Sequence, residues 1–401
     1  MSVYRARWVL PISSPPLENG WVRCDQGVIT SLGRGSVTEE IIDLGNVAII
    51  PCLINAHTHL EFSNLDTPLG TGDGSFADWI QAVLDYRGGS EIGEGVIASG
   101  LAQSSASGVG AIGEIATLDA SSELASDYEE RVGELIAYRE FIGLSKSRVA
   151  ELLLQAESHI NAAKTKKWHS GLSPHAPYTV HGDLLSGLCS LSAEHQVPLA
   201  MHLAETLEEI ELLEMGTGPL RELLDRLDVW DAEGVNSPGT IQAYLEELNK
   251  CWRASVIHGN YLDVDHLRFI GQHRDVMSVV FCPRTHAYFG HSQYPLEQIL
   301  ASNVRVALGT DSRASNPDLS LIAELGFVAA EFPNVSADQL LLSATHAGAY
   351  ALGLEKIVGA IVAGASSRLL VVPCGDATLD NIHQQVLENL SEFSHLQCEQ
   401  M

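Results

Sequence analysis

Short apolar runs that alternate with helical stretches fill the middle of this chain. Each run has the length of a buried strand, and the spacing suits repeated strand–helix units. Eight such units predict a (β/α)8 TIM barrel, in which the carboxyl ends of the strands meet at one face. The alternative is a doubly wound sheet, which would not gather residues from so many strand ends. The predicted strands are 53–57, 109–115, 133–138, 169–174, 198–202, 254–258, 276–281 and 304–310.

The two ends of the chain have a different sequence pattern, which is typical of short strands and turns. Such runs occur before residue 50 and again in Gly359–Gly364 and Arg368–Pro373. Neither end is long enough to bury a core alone, so we expect the two to pair as one small β-sandwich domain. The predicted division is 1–50 for the first part of the β-sandwich, 51–355 for the barrel, and 356–401 for the second part of the β-sandwich with a C-terminal tail.

Charge and composition exclude several classes of partner. The net charge of −28 repels phosphate backbones and argues against nucleic-acid binding. No apolar run approaches membrane-spanning length, and the first residues do not resemble an export signal. The seven cysteines are scattered without a Cys-x-x-Cys motif, which suits reduced thiols. We therefore expect a cytoplasmic protein that acts on a small molecule and does not bind a membrane.

A pair of histidines ends the first predicted barrel strand. Residues two apart on a strand point to the same face, so His57 and His59 lie side by side and are placed for one metal ion. With 16 His in 401 residues, chance supplies roughly 0.6 His-x-His pairs. The pair therefore needs support from other strand ends.

Three further strand ends supply that support. His202 ends the fifth strand and Glu205 follows three residues later, while His258 ends the sixth strand and Asp311 follows the eighth. Glu205 could instead be a first-turn helix residue favoured by the macrodipole, and Asp311 could cap a helix. Four strand ends that each carry a metal-type ligand are hard to explain by caps and core histidines together. The pattern indicates a metal-dependent hydrolytic site.

These motifs resemble the amidohydrolase superfamily, in the branch that holds purine and pterin deaminases, triazine hydrolases and aminodeoxyfutalosine deaminases. The motifs run in the order found in that family, and the resemblance covers almost the whole chain. It rests on Pro51-Cys-Leu-Ile-Asn-Ala-His-Thr-His59, Ser173-Pro-His-Ala-Pro-Tyr-Thr179, His202-Leu-Ala-Glu-Thr206, His258-Gly-Asn260 and Leu308-Gly-Thr-Asp-Ser312.

The resemblance implies a mononuclear metal site. It gives His57, His59, His202 and Asp311 as ligands of one divalent ion, usually zinc, with iron or manganese as alternatives. Members that hold two metals carry a carboxylated lysine at the end of the third or fourth strand. Here the fourth strand ends in Pro174-His175, so one ion is expected. The family often forms homodimers, so the resemblance implies a homodimer, although the sequence itself carries no signal of the oligomeric state.

The implied chemistry is hydrolytic deamination. A catalytic divalent ion lowers the pKa of a bound water from ~15.7 toward ~7, which gives hydroxide at neutral pH. Asp311 would bind the ion and take the proton of the water, and His258 would orient that water or polarise the developing oxyanion. Glu205 would protonate a ring nitrogen of the substrate and then assist the departure of ammonia. Glu205, His258 and Asp311 are thus the predicted catalytic residues.

Four residues are candidates for substrate binding. Glu61 and Glu140 resemble positions of aminodeoxyfutalosine deaminases, although either could be a salt-bridged residue. The resemblance gives His175 a role on the substrate side, and Arg284 could grip a substrate carboxylate with two hydrogen bonds. The leading expected substrate is aminodeoxyfutalosine or a related adenine nucleoside.

Two alternatives remain open at this point. The same hydroxide could serve a triazine-type chlorohydrolase or another purine or pterin aminohydrolase. A non-catalytic scaffold on the same fold is a third reading, which loss of metal ligands would favour, and none of the expected ligands is missing here. Residues 229–239 read as a loop insertion that could cover the pocket.

Overall fold

Seven short strands precede the barrel. The computed structural model describes residues 1–72, 74–89, 94–117, 131–235 and 239–396. Alternating burial in the longer of these strands, such as the fourth, is that of a sheet with one covered face. The strands are β1 Ser2–Arg5, β2 Trp8–Val9, β3 Leu17–Glu18, β4 Gly20–Asp25, β5 Val28–Arg34, β6 Ile41–Asp43 and β7 Val47–Pro51.

The eight predicted barrel strands are all present as parallel neighbours in one sheet, and the last is divided into two pieces. Nearly every residue of these strands is buried, which explains their almost unbroken apolar sequence. The (β/α)8 barrel prediction is therefore confirmed. The strands are β8 Leu53–His59, β9 Val109–Ala116, β10 Glu134–Phe141, β11 His169–Pro174, β12 Leu199–Leu203, β13 Ala254–His258, β14 Met277–Phe281, β15 Val306–Leu308 and β16 Asp311–Ser312.

The break between β15 and β16 closes the barrel. The Gly309 N–H donates to the Phe281 carbonyl at 2.9 Å on one side, and the Thr310 N–H donates to the His57 carbonyl at 3.1 Å on the other. Beyond this crossing, β16 pairs with β8, with Asp311 opposite Thr58. A Cβ at Gly309 would lie 2.8 Å from the His57 oxygen, so this crossing requires glycine. The predicted uninterrupted strand 304–310 is thus wrong in its final residues.

The C-terminal segment joins the N-terminal strands in a five-stranded sheet. Strand β17 (Leu369–Pro373) runs antiparallel to β7, and β18 (Ser394–His395) continues the order β18-β17-β7-β2-β3. The other four N-terminal strands form a separate four-stranded sheet in the order β5-β4-β1-β6. The strand expected over 359–364 is wrong, because Gly359 and Gly364 adopt left-handed φ values of 84° and 93° that end extended structure. The domain boundaries at residues 50 and 355 stay predictions.

Helices connect the barrel strands and cover their outer faces. In the described part of the chain, no helix is long and apolar enough to cross a membrane. The described helices are α1 Phe76–Gly89, α2 Glu94–Ala106, α3 Val149–Ala163, α4 Gly182–His195, α5 Leu207–Met215, α6 Pro219–Arg226, α7 Ala232–Val235, α8 Ile241–Leu248, α9 Val264–Gln272, α10 Pro283–Tyr288, α11 Leu296–Ala301, α12 Leu321–Glu331, α13 Ala337–Ser343, α14 His346–Ala351 and α15 Ile382–Glu388.

We predict that close packing around β9 makes Gly113 indispensable for stability. A Cβ on Gly113 would lie 2.6 Å from the Ala56 carbonyl oxygen, which is backbone and cannot turn away. We expect Gly113→Ala to lower the free energy of unfolding by about 1–3 kcal/mol, the usual cost of overpacking, measured by urea denaturation. The control is Gly326→Ala in α12, where no atom lies within 4 Å of the added Cβ. Equal stability of the two variants would contradict this packing argument.

Candidate active site

The histidines of β8 face an aspartate across the barrel closure. Because β16 pairs with β8, the Asp311 Oδ1 lies 3.4 Å from the His57 Nε2 and 3.6 Å from the His59 Nε2. The imidazole rings of His57 and His59 are 4.9 Å apart, as expected for residues that share one face of a strand. Strand pairing therefore brings together two ligands from the first strand and one from the last.

His202 completes this group from the opposite side of the barrel. Its ring centroid lies 5.0 Å from that of His57 and 5.6 Å from that of His59. Its Nδ1 lies 3.0 Å from the His175 carbonyl oxygen, which can only accept a hydrogen bond. The Nδ1 therefore carries the proton, and the Nε2 lone pair is left for a metal ion, the arrangement common in metal-ligating histidines.

The donor set fits one divalent cation. The ligand atoms of His57, His59 and His202 all lie within 4.8 Å of one another, as do those of His57, His258 and Asp311. Both ring nitrogens of His57 are buried without a hydrogen-bond partner, which costs free energy unless another group binds them. Imidazole nitrogens with one carboxylate suit zinc, and also iron or manganese.

Burial sets the protonation states of this cluster. It lowers the pKa of His59, His202 and His258 well below the usual range, and the neighbouring imidazoles lower the pKa of His59 and His202 further. Burial opposes ionisation of Asp311, but the adjacent His57 and His258 outweigh it and lower the pKa of that carboxyl. Burial thus favours the neutral imidazole in His59, His202 and His258 and the neighbouring groups favour the ionised carboxylate in Asp311, the forms that bind a metal.

Glu205 and His258 lie beside the cluster. The Glu205 Oε1 is 3.4 Å from the His258 Nε2, and both side chains are buried. Burial raises the pKa of Glu205 well above its ordinary value, and the charges of Asp311 and Glu209 raise it further. A buried carboxyl whose pKa is raised keeps its proton to higher pH than an exposed one, which suits it to donate that proton to a substrate.

Residues with a left-handed backbone conformation at the strand ends orient the side chains of the site. Ala204, His258 and Asp311 have φ values of 54°, 68° and 53°, a conformation that costs non-glycine residues about 1–2 kcal/mol each. Hydrogen bonds hold the first of these turns: the Glu209 carboxylate accepts the N–H groups of Ala204 at 2.9 Å and Glu205 at 2.8 Å. Strain of this kind at three strand ends of one barrel is typical of functional sites.

A second hydrogen-bond network fixes Asp311. Ser315 Oγ donates to the Asp311 Oδ2 at 3.0 Å, and Thr58 Oγ1 donates to the Asp311 carbonyl oxygen at 2.9 Å. The Asn55 side chain bridges the two strands, since its Nδ2 donates to the Thr310 Oγ1 at 2.8 Å and its Oδ1 accepts the Thr310 N–H at 3.1 Å. The carboxylate therefore has one defined position relative to the histidines.

A cavity of about 270 Å³ opens above these groups. Its floor includes Glu205, His258 and Asp311, and its walls are mostly apolar side chains of α1 and α6. This combination of an apolar enclosure with a few convergent polar groups is typical of small-molecule sites.

The four predicted substrate-binding residues lie in three different environments. Glu140 and His175 line the cavity, and the Glu140 Oε2 is buried without a hydrogen-bond partner. Burial raises the pKa of Glu140 to about 7 and lowers the pKa of His175 to about 3. Glu61 instead lies behind the wall, where its carboxylate binds Arg87 and accepts a hydrogen bond from Thr117 at 2.6 Å.

The structure does not bring Arg284 to the cavity. Its guanidinium donates to Glu324 at 2.7 Å and to Asp318 at 2.6 and 3.1 Å, so its hydrogen-bonding capacity is taken within the protein. Glu324 also accepts from Asn316, whose Nδ2 donates to the Thr310 carbonyl oxygen at 2.7 Å. Arg284 therefore supports the segment that carries Asp311 and is not retained as a substrate contact.

Sequence reasoning missed Arg87, Glu209 and the apolar wall. Arg87 is the basic residue in the last turn of α1, and Glu209 lies in the first turn of α5. Both positions look like ordinary helix-end charges in the sequence, so no local signal distinguishes them. Val229 of the predicted covering loop lines the cavity, and residues 236–238 of that loop lie outside the described residues.

Comparison with known proteins identifies the family. Residues 48–397 match the amidohydrolase family. An adenosine deaminase of Helicobacter pylori is 27% identical over 315 residues, which are 77% of this chain and 75% of that protein. A 5-methylthioadenosine/S-adenosylhomocysteine deaminase of Moorella thermoacetica is 25% identical over 398 residues, 91% of this chain and 83% of that protein.

A solved structure shares the whole fold. The crystal structure of Helicobacter pylori aminofutalosine deaminase in complex with methylthio-coformycin matches with a TM-score of 0.82 at 23% identity, over 99% of this chain and 98% of that chain. The chain therefore belongs to the amidohydrolase family. It is a hydrolase that acts on non-peptide carbon–nitrogen bonds.

We predict that the purified protein binds one divalent ion per chain and that His202→Ala weakens this binding. We expect a loss of at least the ~10–100-fold in affinity that removal of an outer-shell partner costs, measured by elemental analysis after dialysis against graded chelator. The control is His195→Ala at the end of α4, outside the cluster. Equal metal retention by the two variants, or two ions per chain, would contradict the assignment.

Proposed function

We propose that this protein hydrolytically deaminates an adenine nucleoside, with aminodeoxyfutalosine or a relative as the substrate. The observation that carries the proposal is the buried Glu205 beside His258 and Asp311 on the floor of an apolar cavity. These groups support the proposal because hydrolysis of an amino group on a heterocyclic ring needs an acid, a hydrogen-bonding group and an ionised carboxylate together. The names of the relatives point to the same class of substrate.

A divalent ion belongs to the proposed site. His57, His59, His202 and Asp311 would hold it, because their ligand atoms lie close together and three ring nitrogens of His57 and His59 lack a hydrogen-bond partner. When bound, such an ion lowers the pKa of a coordinated water toward ~7. Zinc is the proposed native metal, with iron or manganese as alternatives.

The side chains divide the proton transfers between them. Asp311 is ionised and accepts the proton of the attacking water, while His258 orients that water through a hydrogen bond. The water oxygen forms a bond to the ring carbon that bears the amino group, and Glu205 gives its proton to the adjacent ring nitrogen. The amino group takes the proton held by Asp311 and leaves as ammonia when the carbon–nitrogen bond breaks. The new hydroxyl group gives its proton to Glu205, which restores the acid and leaves a carbonyl in the product.

Glu140 and His175 are the proposed substrate-binding groups. The unpartnered Oε2 of Glu140 can accept a hydrogen bond from a substrate hydroxyl. His175 is held by Thr179, whose Oγ1 lies 2.7 Å from the His175 Nδ1, so its ring position is fixed. Glu61 acts on the site only through Arg87 in this proposal. The cytoplasmic location and the homodimer stay predictions.

We predict that Glu205→Gln abolishes most of the activity while the metal stays bound. Loss of a positioned proton donor costs typically 10²–10⁴-fold in kcat, and we expect a loss in that range in ammonia release from adenosine-type substrates. Because the pKa of Glu205 is raised, its protonated form is lost as pH rises through that pKa, so wild-type kcat should fall on the alkaline side.

The matched control is Glu214→Gln, an exposed position on the following helix α5. Full activity in Glu205→Gln would refute the proton-donor role. Release of chloride from chlorotriazines, without ammonia from any adenine compound, would point to the chlorohydrolase alternative.

A further inference from the structure

A second cavity, of about 310 Å³, lies at the opposite end of the barrel from the candidate active site. Its lining includes residues near the amino ends of β10, β11, β12 and β13, whereas the catalytic groups follow the carboxyl ends of strands. We call it the basal cavity. The side chains that matter here are Lys164, Lys166, Trp168, His169, His195 and Trp252.

The lining of the basal cavity carries basic side chains and no carboxylate. It contains three lysines and two histidines but neither Asp nor Glu. The sequence has only six lysines, so half of them lie at this one place, in a chain whose net charge is −28. Lys164 donates to the Asn161 Oδ1 at 2.8 Å. In the described part of the chain, neither Lys164 nor Lys166 forms an ion pair with a carboxylate.

Stabilisation of helix ends accounts for only part of this charge. Lys164 is the C-cap residue of α3, where a cation interacts favourably with the partial negative charge of the last carbonyl groups. Lys166 lies two residues further on and is exposed, beyond the last turn to which this effect is confined. The His169 Nε2 lies 2.9 Å from the Glu134 Oε2, so that imidazole already has a partner. The ammonium of Lys166 therefore remains for a ligand.

Two indole rings in the lining are held in place by the surrounding structure. The Trp168 ring stacks on the His159 ring with centroids 5.1 Å apart, and the His159 Nε2 lies 2.9 Å from the Ala137 carbonyl oxygen. Trp252 packs against Gly353, where φ is 72° and a Cβ would lie 2.6 Å from the indole. Rings that are fixed before a ligand binds lower the entropy cost of binding.

Cationic groups beside aromatic walls fit an organic anion better than an inorganic one. A flat apolar body gains free energy from burial against the indoles, while the ammonium groups bind the charged end. A phosphate monoester carries about −1.5 to −2 charges near neutral pH, which matches two lysines that lack a carboxylate partner. The Trp168 Nε1 is also buried without a hydrogen-bond partner among the described residues.

We propose that the basal cavity is a second binding site, which takes a small organic phosphate with an aromatic body. The inference goes beyond the proposed function, because the basal cavity lies at the far end of the strands from Glu205 and the histidine cluster. The net charge of the chain repels anions in general, so binding depends on the local lysines.

The first test uses phenyl phosphate as the probe, with inorganic phosphate and benzyl alcohol to represent its two parts. Isothermal titration calorimetry on the full chain at low ionic strength measures each dissociation constant. We expect one phenyl phosphate per chain, bound at least about 10-fold more tightly than either part, because ring burial adds to the ionic contacts. Added salt should weaken the binding of phenyl phosphate.

A double variant locates the binding site. Lys164→Gln together with Lys166→Gln removes two exposed ammonium groups, and we expect it to weaken phenyl phosphate binding by about 10-fold. The matched control is Lys146→Gln, an exposed position just before the other end of α3 and outside the basal cavity. This control should bind phenyl phosphate as the wild type does.

The outcomes separate this site from the active site. Absence of phenyl phosphate binding overturns the inference, and so does equal affinity for phenyl phosphate and inorganic phosphate. Unchanged binding in the double variant places the probe elsewhere and also overturns it. A double variant that loses only stability assigns the lysines to the end of α3, against the inference. Ammonia release from adenine nucleosides tests the proposed function separately.

Discussion

Closure of the barrel between its last and first strands is the constraint on which the site depends. The Thr310 N–H binds the His57 carbonyl at 3.1 Å, and one residue later Asp311 lies against the imidazoles of His57 and His59. This contact joins residues about 250 positions apart in the sequence. The closure also requires Gly309, since a Cβ there would meet the His57 backbone. Barrel closure and the assembly of the proposed metal site therefore depend on the same strand contact.

Several features of the site lower the stability of the folded state. Three strand ends hold non-glycine residues in left-handed backbone, and both ring nitrogens of His57 are buried without a partner. Glu209 is a buried carboxyl whose pKa burial raises to about 7, yet it holds the turn that presents Glu205. Interactions of this kind destabilise a protein unless the surrounding core offsets them or a bound metal satisfies them. The extensive apolar packing on both faces of the barrel sheet provides that offset.

Much of the fold could be read from the sequence because its signals are local. Buried parallel strands appear as apolar runs, and His57, His202 and Asp311 follow from where those runs end. Contacts between distant elements leave no such signal. The sequence around Arg284 does not indicate whether this arginine contacts a substrate or, as in the structure, Asp318 and Glu324. The pairing of Glu61 with Arg87 depends on how α1 packs over the barrel. The apolar cavity wall that α1 and α6 form has no local sequence signal for the same reason.

The proposed metal site takes its ligands from three barrel strand ends, those of β8, β12 and β16. It can be checked by an anomalous difference map from crystals of the metal-loaded protein, recorded above the absorption edge of the bound metal. We expect one peak per chain, in contact with His57, His59, His202 and Asp311. Two peaks per chain, or a single peak away from Asp311, would contradict it.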